Sequence, residues 1–97
     1  MFIVSEKNGP HGMLLVVTDT EILGKKFQQG KIQLDLTTEF YKGIKMSEHD
    51  VKEILKKARY LHLTGQKIIT LAVELKIVNP RKILYVCDIP HAEVVIG

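Results

Sequence analysis

Residues 47–77 read SEHDVKEILKKARYLHLTGQKIITLAVELKI, and the apolar spacing of this stretch decides the fold. Ser47 can cap free backbone N–H groups, with Asp50 three residues on, and Glu48 adds negative charge at the positive helix end. Val51, Ile54, Leu55, Ala58 and Leu61 fall at i, i+3, i+4, i+7 and i+10. That single stripe predicts a first helix over 47–61. Lys52, Lys56 and Arg59 share another face with Lys57 beside them, and Glu53 can pair with Lys57 at i, i+4. His49 and His62 then fall near the two ends of this helix as surface residues. Thr64 as cap and Gly65 open a second helix over 65–77. Ile68, Ile69, Leu71, Ala72, Val73, Leu75 and Ile77 leave it a narrow wet strip, so it should sit at the centre of the core. Asn79-Pro80 is expected to end it, because proline cannot continue the ladder.

Outward from the helices, the flanks read as short strands. Phe2–Val4 and Met13–Val17 are apolar runs joined by Asn8-Gly9-Pro10-His11-Gly12, a hairpin with more than a tight two-residue loop. Asp19 is placed to cap a helical turn over Thr20–Leu23, closed by Gly24. After a Gln28-Gln29-Gly30 turn, Ile32, Leu34 and Leu36 alternate with Gln33 and Asp35, the period of a half-buried strand. Phe40-Tyr41 with Gly43 forms an aromatic loop. Such a pair can stack on bases, but Phe40 is expected to plug the core. Ile83–Val86 and Val94–Ile96 close the chain as strands around a turn at residues 87–91. The sum is an α+β fold: one domain over 1–97, a small mixed or antiparallel sheet and two main helices.

Composition narrows the function classes. The 97-residue chain has one cysteine, Cys87, which excludes an internal disulfide framework and suits a reducing compartment. No apolar run approaches a membrane span, and Phe2-Ile3-Val4 is too short for a signal core. A cytoplasmic protein with no membrane contact is expected. The net charge of +3 is unevenly spread. Residues 1–48 are balanced, while residues 49–82 carry eight Lys or Arg against three acids. The cations Lys52, Lys56, Lys57, Arg59, Arg81 and Lys82 are therefore the candidate contacts for a phosphate backbone. The same residues also suit a solvated helix face.

Enzymatic signatures are missing: no phosphate loop, no Cys-x-x-Cys, no His-x-x-x-His. No cofactor, metal or catalytic residue is expected. The nearest thing to a site is the turn holding Cys87, Asp88, Pro90 and His91, where thiol, carboxylate and imidazole lie within five residues. Three such groups can ligate a metal or form a nucleophile–base pair. Against that, Cys87 continues a buried-strand pattern and reads as an inert core thiol.

Ile22-Leu23-Gly24-Lys25, the Gly30 turn, Leu63-Thr64-Gly65 and Asp88-Ile89-Pro90-His91-Ala92-Glu93 together resemble the archaeal family known as domain of unknown function 424. The resemblance spans nearly the whole chain, and Gly65 with Pro90-His91-Ala92 is its most specific part. It implies an archaeal cytoplasmic protein of about one domain with no established activity, in a gene context of translation and RNA work. Three roles stay open from sequence: a non-enzymatic RNA or ribonucleoprotein module, a protein-interaction or homodimerising module, and a site at Cys87, Asp88 and His91.

Overall fold

The computed structural model describes residues 1–96. Eight strands and two α-helices follow one another as β1 (Phe2–Gly9), β2 (Gly12–Asp19), β3 (Lys26–Gln29), β4 (Ile32–Asp35), β5 (Ile44–Met46), α1 (Glu48–Leu55), β6 (Tyr60–Thr64), α2 (Gln66–Glu74), β7 (Leu84–Val86) and β8 (Ile89–Val95). Six strands form a mixed sheet in the order β5-β1-β2-β6-β8-β7, and β3 and β4 form a separate hairpin. The pair β2–β6 is parallel, with Val16 opposite His62 and Thr18 opposite Thr64. Every other pair is antiparallel. The expected α+β class with a mixed sheet and two main helices holds.

Strand alternation sorts the side chains onto two faces. Leu15 and Val17 of β2, Leu61 and Leu63 of β6 and Ala92 of β8 join Val51 and Leu55 of α1 and Ile68, Ile69, Leu71 and Ala72 of α2 in the main core. The opposite face holds a smaller cluster of Leu34, Leu36 and Val86, packed with Ile22, Phe27, Tyr41 and Ile89. Helices thus cover one side of the sheet, and the β3–β4 hairpin covers part of the other. Leu34 and Leu36 are buried as their alternation requires, whereas Ile32 is exposed.

The first long helix is shorter than its stripe predicts. Ser47 caps it as expected, its hydroxyl accepting from the Asp50 N–H at 3.3 Å. It ends at Leu55, and Tyr60–Thr64 form the central strand β6. Leu61 matched the helical period at i+10 by coincidence. The local pattern Tyr60-Leu61-His62-Leu63-Thr64 is period two, and pairing on both edges outweighs any continuation of α1. His62 is accordingly a half-buried strand residue and not a surface residue at a helix end.

The second helix also ends early, at Glu74 and not at Asn79-Pro80. Lys76 adopts the left-handed conformation (φ 61°). Its N–H donates to the Val73 carbonyl, and the Ile77 N–H donates to the Ala72 carbonyl. That pair of bonds is a Schellman closure with lysine where glycine is usual. At the other end Gly65, not Thr64, is the N-cap. The carboxylate of Asp19, at the end of β2, accepts from the Lys67 N–H at 2.8 Å and the Ile68 N–H at 3.0 Å. Asp19 makes no side-chain cap to the short turn Thr20–Ile22 that follows it. It serves a helix 48 residues away instead. Gly65 has φ 125°, and a Cβ there would collide with the carboxyl group of Asp19.

Three turns are tighter than their composition suggests. Pro10-His11 alone joins β1 to β2, since Gly9 pairs with Gly12. Gly30-Lys31 joins β3 to β4, with Gln28 and Gln29 already in the strand. Cys87-Asp88 joins β7 to β8, both residues at positive φ (49° and 64°), so Ile89 to His91 belong to β8. Cys87 is exposed, its N–H bound to Gln29 Oε1 at 2.8 Å. The buried-thiol expectation fails because a two-residue left-handed turn points both side chains outward.

Two substitutions of opposite sign test this account. Lys76→Gly should stabilise the fold by up to about 1 kcal/mol, because it relieves the left-handed strain against a smaller gain in unfolded-chain entropy. Gly65→Ala should destabilise by at least about 2 kcal/mol through positive φ and the lost Asp19 cap. Urea titrations of both variants beside the parent check the two signs.

Candidate functional site

The sheet face away from the helices carries the densest polar chemistry of the chain. On β6 and β8 the outward residues of this face are His62, Thr64, His91 and Glu93, with Thr64 opposite His91 and His62 opposite Glu93. The segment Glu39–Tyr41 lays Phe40 and Tyr41 over them. Phe40 meets the His62 ring edge-on at 4.9 Å, and Tyr41 lies at 5.7 Å from it. The two imidazoles are themselves 4.4 Å apart, edge to face. Lys7 sits above Phe40 at 5.6 Å. Phe40 is therefore half-buried against His62 and does not plug the main core.

Each imidazole has a hydroxyl on one of its nitrogens. Thr64 Oγ1, fully buried, lies 2.8 Å from His91 Nδ1, and the Tyr41 hydroxyl lies 3.4 Å from His62 Nε2. Glu93 Oε1 lies 3.3 Å from His62 Nδ1, with the His62 side chain 13% and the Glu93 side chain 73% exposed. Burial pushes the His91 imidazole down to about 4, helped by neighbouring His62 and opposed by Glu93. Burial also lowers His62, again against the pull of Glu93. Both rings are neutral at pH 7, so each carries one N–H and one nitrogen lone pair that can accept a hydrogen bond or a ligand bond. Burial raises the Tyr41 hydroxyl, with the Glu93 and Asp35 charges adding to it, so it stays protonated. One step along β2, Thr18 opposite Thr64 buries a hydroxyl that has no hydrogen-bond partner among the described residues.

Sequence reasoning found one corner of this cluster, His91, and placed it in the wrong company. Cys87 and Asp88 sit at the tip of the hairpin, where Cys87 Sγ lies 3.2 Å from the Gln28 carbonyl. His91 is three residues into the strand and faces His62. Pro90 is buried in β8 opposite Tyr85. Among the described residues, the His, Cys, Asp and Glu side chains whose ligand atoms converge are His62, His91 and Glu93, all within 4.8 Å of one another. The missing signal was the strand character of 60–64, since only the pairing of β6 with β8 brings these residues together.

The basic residues are divided. Lys52 pairs with Glu48 and Lys56 with Glu53, each at 3.5 Å. The expected Glu53–Lys57 pair does not form. Lys57, Arg59, Arg81 and Lys82 have no carboxylate within 4.0 Å among the described residues. Arg59 is tied to the end of β8 through its carbonyl, which accepts from the Ile96 N–H at 2.7 Å. Lys82 lines a groove there with Ile77, Asn79 and Val95. Arg59 also stacks toward the Tyr60 ring at 5.9 Å.

Comparison with known proteins is sparse. A family model described as "Protein of unknown function (DUF424)" matches residues 6–96. A crystal structure of an uncharacterized conserved protein from Methanopyrus kandleri is similar in fold, with a TM-score of 0.76 at 14% identity, over 99% of this chain and 93% of that one. No curated protein matches. No helix among the described residues is long and apolar enough to cross a membrane.

The depressed imidazoles make stability depend on pH. The unfolded chain takes up protons near the ordinary histidine value while the folded chain holds His91 neutral down to about 4. Stability from this group is thus complete above pH ~6.5 and is lost as pH falls toward 4, by on the order of 2 kcal/mol. His91→Gln should flatten that limb of the stability profile, as measured by urea unfolding at stepped pH. An unchanged profile would show that His91 is not the group responsible.

Proposed function

The chain belongs to the DUF424 family of proteins of unknown function, and on that footing we propose that it is a small non-enzymatic binding module for RNA or a ribonucleoprotein. The observation that carries the reading is that four of the six candidate cations, Lys57, Arg59, Arg81 and Lys82, have no carboxylate within 4.0 Å among the described residues, as is also true of Lys7, Lys25, Lys31, Lys45 and Lys76. Lys52 and Lys56 are answered by acids of their own helix. The other four have no such neighbour among the described residues, and Arg59 and Lys82 both border the C-terminal end of β8. Cations without an internal partner keep their full attraction for phosphate and release counterions on binding. The planar guanidinium groups of Arg59 and Arg81 add bidentate geometry toward phosphate oxygens.

A protein-interaction role has one observation in its favour. β7 pairs only with Ile89–His91, so β8 from Ala92 to Val95 keeps one edge without a strand partner among the described residues. Val95, Tyr85 and Leu84 are exposed apolar residues beside it. Such an edge can take a strand from another chain.

One experiment separates the readings. An RNA mixture is titrated against the parent, against Lys57→Glu/Arg59→Glu/Arg81→Glu/Lys82→Glu, and against Lys52→Glu/Lys56→Glu. The quadruple variant should lose binding and up to about three units of salt slope, while the double variant keeps most of both. Each surface change should stay within about 0.5 kcal/mol in stability. Equal binding by all three proteins would defeat the reading. A parent that ignores RNA at low salt but dimerises by light scattering would favour the edge instead.

A further inference from the structure

We propose that His62, His91 and Glu93 form a binding site for one divalent transition-metal ion of the Zn2+ class. The geometry is close to that of a three-ligand centre. An ion with ligand bonds of about 2.0–2.1 Å in tetrahedral arrangement holds its ligand atoms about 3.4 Å apart. His62 Nδ1 and Glu93 Oε1 already stand at 3.3 Å. The ligand atoms of all three residues lie within 4.8 Å of one another, so a closure of at most about 1.4 Å brings them to the same spacing.

The surroundings fit as well as the ligands do. A metal-binding imidazole normally has its second nitrogen held by a hydrogen bond, which fixes the ring. Here Thr64 holds His91 at Nδ1 and leaves Nε2 open, while Tyr41 holds His62 at Nε2 and leaves Nδ1 toward Glu93. Rigid strands position both rings, and Phe40 packs against His62 from outside. Glu93 is the mostly exposed member, with room to turn toward an ion. Two imidazole nitrogens and one carboxylate oxygen suit Zn2+ and its first-row neighbours and disfavour Mg2+ and Ca2+, which take oxygen ligands. Three protein ligands leave a fourth position for water or a further ligand. Glu93 also lines the groove that holds Lys82, so the metal titration is carried out without RNA and reads the site by itself.

The test uses the full chain, tag-free and stripped with chelator at neutral pH. Zn2+ is titrated by calorimetry with Mg2+ as control, and the imidazole Cε1–H signals are followed by NMR in the same titration. The chain has four histidines. Saturation at one ion per chain should move the signals of His62 and His91 and leave His11 and His49 in place. Glu93→Gln, at an exposed position that should not disturb folding, should weaken binding at least about 10-fold. No stoichiometric binding would overturn the proposal. So would shifts confined to His11 or His49, or a Glu93→Gln variant that binds as tightly as the parent.

Discussion

The carboxylate of Asp19 on the first turn of α2 is the constraint from which the rest of the arrangement follows. A helix start leaves backbone N–H groups without partners, and an anion there is favoured by both hydrogen bonding and the dipole. Asp19 supplies both from the end of β2, and it is nearly fully buried. Burial raises its carboxyl above the usual range, and the N–H groups of Lys67 and Ile68 pull it back. Only glycine at position 65 leaves room for that approach. With α2 fixed to the end of β2, the strand just before it must lie beside β2 in parallel, with Thr64 next to Thr18. Thr64 then meets His91 of the adjacent β8, and His91 meets His62. The polar cluster is therefore set by a cap that lies at the edge of the main core.

The two faces of the sheet divide the chemistry. One is given wholly to apolar packing with α1 and α2. The other is only partly covered by the β3–β4 hairpin, and the uncovered part is where imidazoles, hydroxyls and a carboxylate collect. Neutral histidines are well suited to such a half-covered place, since they bury an apolar ring surface while keeping one nitrogen for a partner.

Much of the architecture was legible in the residues. Ser47, the Val51–Leu55 stripe, the apolar run of 68–72 and the alternation at 32–36 each specified an element that forms. The errors share one cause. Leu61 fits the helical period and the strand period equally, and nothing local separates the two, because β6 owes its form to partners 45 and more residues away in β2 and to β8. Once 60–64 is read as helix, His62 falls on the surface and its meeting with His91 disappears. The Asp19 cap was misassigned for the same reason. A carboxylate serves whichever helix end the fold brings to it, and sequence proximity favoured the wrong one. Cys87 was misread because the apolar run before it hid a turn of two left-handed residues.

The parallel pairing of β2 with β6 also bears on how the chain folds. Hairpins such as β1–β2 and β3–β4 close over two residues and can form within microseconds. The central pair cannot, because residues 20–59 lie between its strands and their loop entropy must be overcome before the contact gives anything back. The antiparallel neighbours β6 and β8, with α2 between them, make a second unit of local contacts. The topology favours a route in which the N-terminal strands dock onto a C-terminal unit, the Asp19 carboxylate reaching the helix end when the halves meet. On this route, changes at Asp19 or Gly65 should slow folding. Changes at Lys76, within one unit, should act mainly on how fast that unit comes apart.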